Sequence, residues 1–94
     1  MIAAAIRRKL ETMPAPEVRA LMNSVIRRCA RKRLYRHAER YHIVDFDDAV
    51  FVEDWHRDER QKIIDFATAR AAEVQAAATR EDLLTIFDSV SEYL

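Results

Sequence analysis

The apolar residues of the first thirteen positions, Ile2, Ile6, Leu10 and Met13, recur every three or four residues. That spacing places them on one face of a helix, and the alanines between them favour the same conformation. Met13-Pro14-Ala15-Pro16 predicts its end, because a residue before proline avoids the helical region. Pro16 then suits the first turn of a second helix, where its missing N–H costs nothing, and Glu17 suits the partial positive charge there.

The second helix is predicted from about residue 16 to about residue 41. Val18, Leu21, Met22, Val25, Ile26 and Cys29 form one apolar stripe. Beyond Ala30 the stripe fails. Continued, it would carry Lys32, Arg33 and Arg36 into the core, at a prohibitive cost for unpaired charges. Ala30, Leu34, Ala38 and Tyr41 define another face, rotated from the first by over ~100°. The expectation is a helix that bends near residue 30, changes its packing partner there, or projects from the bundle.

Asp45-Phe46-Asp47-Asp48 reads as a helix start with Asp45 as N-cap. The competing reading is a hairpin pairing Val44–Phe46 with Ala49–Phe51 about Asp47-Asp48, which is disfavoured because Asp-Asp makes a poor two-residue turn. A third long helix covers about 55–78, with Ile63, Ile64, Phe66, Ala67, Ala71, Val74 and Ala78 as its apolar face. Its alanines would allow close helix approach. Thr79, three residues before Asp82, signals the capped start of a fourth helix. There Leu83, Leu84, Phe87, Val90 and Leu94 are the expected buried positions, with Ile86 and Tyr93 flanking. The predicted fold is all-α: one small compact bundle of about four helices, with a short irregular or helical segment near 43–54.

Composition narrows the chemistry. The 94 residues include no glycine, which excludes the dinucleotide fingerprint and the P-loop, since both need glycine close to phosphate. A single cysteine, Cys29, can form neither an internal disulfide nor a zinc finger, and suits a reducing cytoplasm. No apolar run approaches the ~18 residues that would suggest a membrane span. The amino-terminal order, apolar residues before charges, is the reverse of a signal peptide.

Net charge is +0, but it is divided. Residues 1–44 hold eleven Lys/Arg against three acids, a balance of +8; residues 45–94 hold five against thirteen, a balance of −8. The positive half is concentrated in Arg27, Arg28, Arg31, Lys32, Arg33, Arg36 and Arg40. Six of those seven are arginine, which suits bidentate contacts to phosphate or carboxylate. The negative half opens with Asp45, Asp47, Asp48, Glu53 and Asp54, and Trp55 beside them would make an aromatic anchor ringed by acids.

Two Glu-x-x-His pairs, Glu39/His42 and Glu53/His56, have the spacing used by di-iron bundles. They lie only fourteen residues apart, across a predicted break, and no pair of bridging glutamates is clearly core-facing; a metal site is not expected. Cys29 falls on an apolar face, and Ser24, Ser89 and Ser91 have no histidine near them in sequence, so neither catalysis nor a cofactor is expected. The reading is a small intracellular interaction or regulatory protein, of the compact kind bacteria and phages encode. It would present a charge-polarised helical surface to a protein partner through Arg27–Arg40 or through Asp47, Asp48, Glu53, Asp54 and Trp55. Nucleic acid on the basic helix is the alternative, disfavoured by overall neutrality, and opposite patches of +8 and −8 could also join two copies of the chain.

Overall fold

A computed structural model describes residues 2–42 and 54–94, and the side chains of all of these except Asp54 and Trp55. Four helices account for the described chain: α1 (Ile2–Thr12), α2 (Ala15–Tyr41), α3 (Asp54–Ala76) and α4 (Arg80–Val90), followed by a single 3-10 turn, Ser91–Tyr93. The fold is the small all-α bundle that the periodicity predicts. At 1.5 Å per residue α2 is about 40 Å long, and it sets the 46 Å long axis of a molecule 28 Å by 17 Å across.

Local signals place the helix ends. Pro16 sits in the first turn of α2, after Pro14 has closed off α1 in an extended conformation. Thr79 Oγ1 accepts from the Asp82 N–H at 3.1 Å, and Asp82 Oδ2 accepts from the Thr79 N–H at 3.3 Å. This capping box satisfies two donors that the helix start would otherwise strand.

The core forms where α2 meets α4, with single contributions from the other helices. Val18, Met22, Val25, Ile26 and Cys29 of α2 pack with Leu83, Ile86, Phe87 and Val90 of α4, and Leu10, Val74 and Ala77 complete the cluster. On α4 it is Ile86, not Leu84, that is buried. Leu84 lies about 100° from Leu83 at 3.6 residues per turn, whereas Ile86 returns to the stripe of Leu83, Phe87 and Val90. Ala71 of α3 and Ala78 just beyond it, both expected in the core, are exposed, as are Ala72 and Ala76. Arg70 takes the inward position one residue earlier, with its guanidinium carbon 5.5 Å from the centre of the Phe66 ring. Of the alanines expected to allow close approach, only Ala77 is buried.

Many helices end on a glycine in the left-handed conformation, which turns the following N–H groups back onto the last carbonyls. This chain has none, and arginine does much of that work. Arg80, at the start of α4, donates to the carbonyls of Leu10 and Met13, the latter at 2.7 Å, and so closes the end of α1. Arg19 donates to the carbonyl of Ala77, just beyond α3. At the end of α2, His42 itself adopts the left-handed conformation (φ 55°, ψ 41°) and its N–H reaches back to Ala38 and Glu39. Replacing Arg80 by methionine keeps its apolar stem but strands two part-buried carbonyls, at a cost of about 2 kcal/mol. Thermal melting of Arg80→Met should therefore fall by roughly 10 °C, and an unchanged melting temperature would show that the caps contribute nothing.

Of the three alternatives at residue 30, the structure shows a change of packing partner: α2 packs on α4 up to Cys29, and on α3 and the final turn beyond it. The helix runs unbroken past Ala30, and the stripe begun by Val18 and Cys29 continues through Arg33 and His37, both half-buried. The face of Ala30, Leu34 and Ala38 is half-buried as well, and Tyr41 at its end, though exposed, reaches the His56 ring of α3. The cost of burying charge is avoided because the apolar core stops at Cys29. Arg33 lies over the rings of Phe66 and Tyr93, Lys32 extends to the carbonyl oxygen of Leu94 at 2.6 Å, and Arg36 stays exposed.

The helix-or-hairpin question at 43–53, with Asp45, Phe46, Asp47, Asp48, Phe51 and Glu53, lies outside the described residues, as do the side chains of Asp54 and Trp55. Among the described residues no helix is long and apolar enough to cross a membrane.

Candidate interaction surface

The basic stretch divides by helical geometry into two opposite faces of α2. Arg27, Arg28, Arg31 and Tyr35 fall on the side away from the core, while Arg33, Arg36 and Arg40 continue the core stripe. Each face lines a different concavity.

The outer face forms an open hollow of 520 Å³ lined by Ser24, Arg27, Arg28, Arg31, Lys32 and Tyr35. Arg27, Arg28 and Arg31 are exposed, and Tyr35 is 66% exposed. Arg27 donates to Ser24 Oγ at 3.2 Å. The ion pairs among the described residues lie elsewhere: Arg7 with Glu11 and Asp88, Lys62 with Glu59, and Arg70 with Glu73. None reaches Arg27, Arg28 or Arg31. These three stand at spacings i,i+3 and i,i+4, where like charges on a helix repel by about 0.2–0.5 kcal/mol per pair. The face is thus assembled against a small local cost.

The inner face looks toward α3 across an open cleft of 620 Å³ lined by Arg33, Arg36, His37, Arg40, Tyr41, Glu59, Ile63 and Tyr93. His37 Nε2 and His56 Nδ1 are 2.9 Å apart across the α2–α3 seam. Their ring centres are 5.1 Å apart, and the difference of 2.2 Å is about two imidazole radii. The nitrogens therefore lie on the line between the rings, the arrangement of a straight N–H···N bond. Two ligands of one metal ion would instead converge at an angle. Tyr41 packs against both rings, with centres 4.8 and 5.1 Å away.

Burial pushes the His37 pKa below the ordinary imidazole value, and the neighbouring His56 and Arg40 push the same way against an opposing pull from Glu59. The native state therefore favours neutral His37, while the unfolded chain takes up its proton more readily. The stabilisation is complete above the unfolded value, about pH 6.5, and is lost as pH falls through the lower native value. Urea midpoints should be flat above about pH 7 and decline as pH falls below about 6.5. His37→Gln should flatten that decline, and a midpoint that rises on acidification would contradict the sign.

Cys29 is fully buried and donates weakly to the Val90 carbonyl at 3.5 Å. Burial raises its pKa despite nearby Lys32 and Arg28, so the thiol stays protonated and acts as a small core residue. Among the described residues no three His, Cys, Asp or Glu side chains gather as a metal site.

No protein-family model, curated protein or solved structure matches the chain.

The seven cations singled out in the sequence are not one site. Arg27, Arg28 and Arg31 share the outer face; Arg33, Arg36 and Arg40 share the cleft; Lys32 borders the outer hollow but also reaches Leu94. The acidic and aromatic group, Asp47, Asp48, Glu53, Asp54 and Trp55, lies outside the described side chains. Sequence reasoning missed Ser24 and Tyr35 on the outer face, although the helical spacing of Ser24, Arg28, Arg31 and Tyr35 marks them. It did not bring His37 together with His56, Glu59 and Tyr93 in the cleft region, a juxtaposition for which no local signal exists.

Proposed function

We propose that this chain is a non-enzymatic binding module that presents the outer face of α2 to an acidic protein surface. The observation that carries the reading is the contrast between its arginines. Arg7, Arg19, Arg70 and Arg80 are engaged in ion pairs or helix caps, whereas Arg27, Arg28 and Arg31 meet no carboxylate among the described residues. Guanidinium groups left in that state bind carboxylates in a bidentate manner. An acidic protein is preferred to nucleic acid because the chain as a whole is neutral and lacks the general positive field of a phosphate-backbone binder.

Nucleic acid remains the second reading, favoured by Tyr35, an exposed ring among arginines on which an unpaired base could stack. The cleft and the buried thiol take no part in either reading, and an unpaired Cys29 suits a reducing compartment.

Affinity capture from nuclease-treated lysate tests the proposal, comparing wild-type protein with R27E/R28E/R31E. A stoichiometric acidic protein should be retained by the first, released by salt, and absent from the second. Recovery seen from untreated lysate and lost on nuclease treatment would support the second reading, and recovery of a second copy of this chain would make self-association the function. Capture that survives the triple reversal would overturn all three.

A further inference from the structure

The α2–α3 cleft lies on the opposite side of α2 from the proposed docking face. We propose that it is a binding site for a small phosphomonoester, whose phosphate is held by Arg33, Arg36 and Arg40. The three arginines follow one another at spacings of three and four on the face turned toward α3, spanning about 10 Å along the helix. The cleft they line has a volume of 620 Å³, within the range of about 300–1,000 Å³ typical of small-ligand sites.

Arg33 is the anchor. Its guanidinium carbon lies 4.6 Å from the centre of the Tyr93 ring and 5.0 Å from that of Phe66. Those two rings hold each other edge to face, with centres 5.5 Å apart. The contacts fix the orientation of the half-buried group, yet none of its N–H donors has a hydrogen-bond acceptor among the described residues. A guanidinium presents five donors and no acceptor, so Arg33 is oriented by aromatic contacts while its polar edge stays open to the cleft. Orienting it in advance lowers the entropy lost when an anion binds. Arg36 and Arg40 are exposed and make no ion pair among the described residues.

The charge of the cleft agrees. Among the described residues Glu59 is the acid lining it, and that carboxylate is already paired with Lys62 at 3.1 Å. Three guanidiniums against one occupied carboxylate, counted over those residues, suit a dianion better than a single carboxylate ligand. The cleft is also larger than a phosphate ion needs, and Ile63 and Tyr93 supply an apolar wall for an organic substituent. These features together point to a phosphate ester rather than inorganic phosphate.

Phenyl phosphate is the probe, titrated into the full chain and followed by NMR chemical shifts. Saturable shifts should map to Arg33, Ile63, Phe66 and Tyr93, with inorganic phosphate binding at least tenfold more weakly. R36Q/R40Q changes two exposed residues and should retain the fold, yet weaken phenyl phosphate binding at least tenfold. R27E/R28E/R31E should bind it as wild type does, which separates this site from the docking face. Shifts spread over every cationic surface, or binding untouched by R36Q/R40Q, would overturn the site. Equal affinity for inorganic phosphate would overturn the assignment of an ester.

Discussion

R27E/R28E/R31E should lose partner binding by at least about a hundredfold while melting within a few degrees of wild type. The two halves of this expectation have separate causes. Each hydrogen bond to a charged group contributes about 1.5–3 kcal/mol, and tenfold in affinity is about 1.4 kcal/mol. Losing two such contacts already exceeds a hundredfold, before repulsion from the introduced glutamates is counted. The fold, by contrast, does not use these side chains. All three are exposed, and reversing them removes no core contact and no helix cap. Glutamate at 28 would stand four residues before Lys32, a favourable helical pair of about 0.2–0.5 kcal/mol. R7E makes the complementary control. It breaks the bridge to Asp88, 3.0 Å long between exposed side chains, and should leave partner binding intact.

Phe87→Ala should have the largest effect on stability. Phe87 is 1% exposed and belongs to the cluster in which α4 meets Leu10 of α1 and the stripe of α2. Truncating a buried phenylalanine costs about 3–5 kcal/mol, because lost burial and the remaining cavity add. A domain of this size has about 5–14 kcal/mol of total stability. The variant should melt about 20 °C or more below wild type, and a melt within a few degrees would show that α4 is not packed as described. Leu84→Ala, on the same helix but only half-buried, should cost far less.

Where the chain's structure depends on neighbours in sequence, it was legible. The prolines at 14 and 16 separate α1 from α2, Thr79 and Asp82 start α4, and the period of Val18, Met22, Val25, Ile26 and Cys29 gives the packed face of α2. Where two distant segments meet, the pattern misled. Arg33 was read as a charge that could not continue an apolar stripe, because hydropathy registers the guanidinium's charge and not its flat faces. The rings that receive it, Phe66 and Tyr93, come from α3 and the final turn. Arg80 and Arg19 read as ordinary surface cations for a similar reason. Their carbonyl partners at Met13 and Ala77 lie 67 and 58 residues away in sequence, and only the absence of glycine hinted that side chains would be needed there.

The histidines show the same limit. Local spacing drew attention to Glu39 with His42 and to Glu53 with His56, yet His37 is the residue bonded to His56. The basic stretch stands out in the sequence by its charge alone. Its division into an outer face and a cleft needed one further fact, that α2 continues unbroken through residue 30.

Arginine modification with phenylglyoxal, mapped by mass spectrometry in the free protein and in its captured complex, tests the account most directly. Arg27, Arg28 and Arg31 should react fastest in the free protein and become protected in the complex, while Arg19 and Arg80, held on helix-end carbonyls, should react slowly in both. Slow reaction of Arg27, Arg28 and Arg31 in the free protein, or undiminished reaction in the complex, would contradict the claim that the outer face of α2 is uncovered and binds the partner.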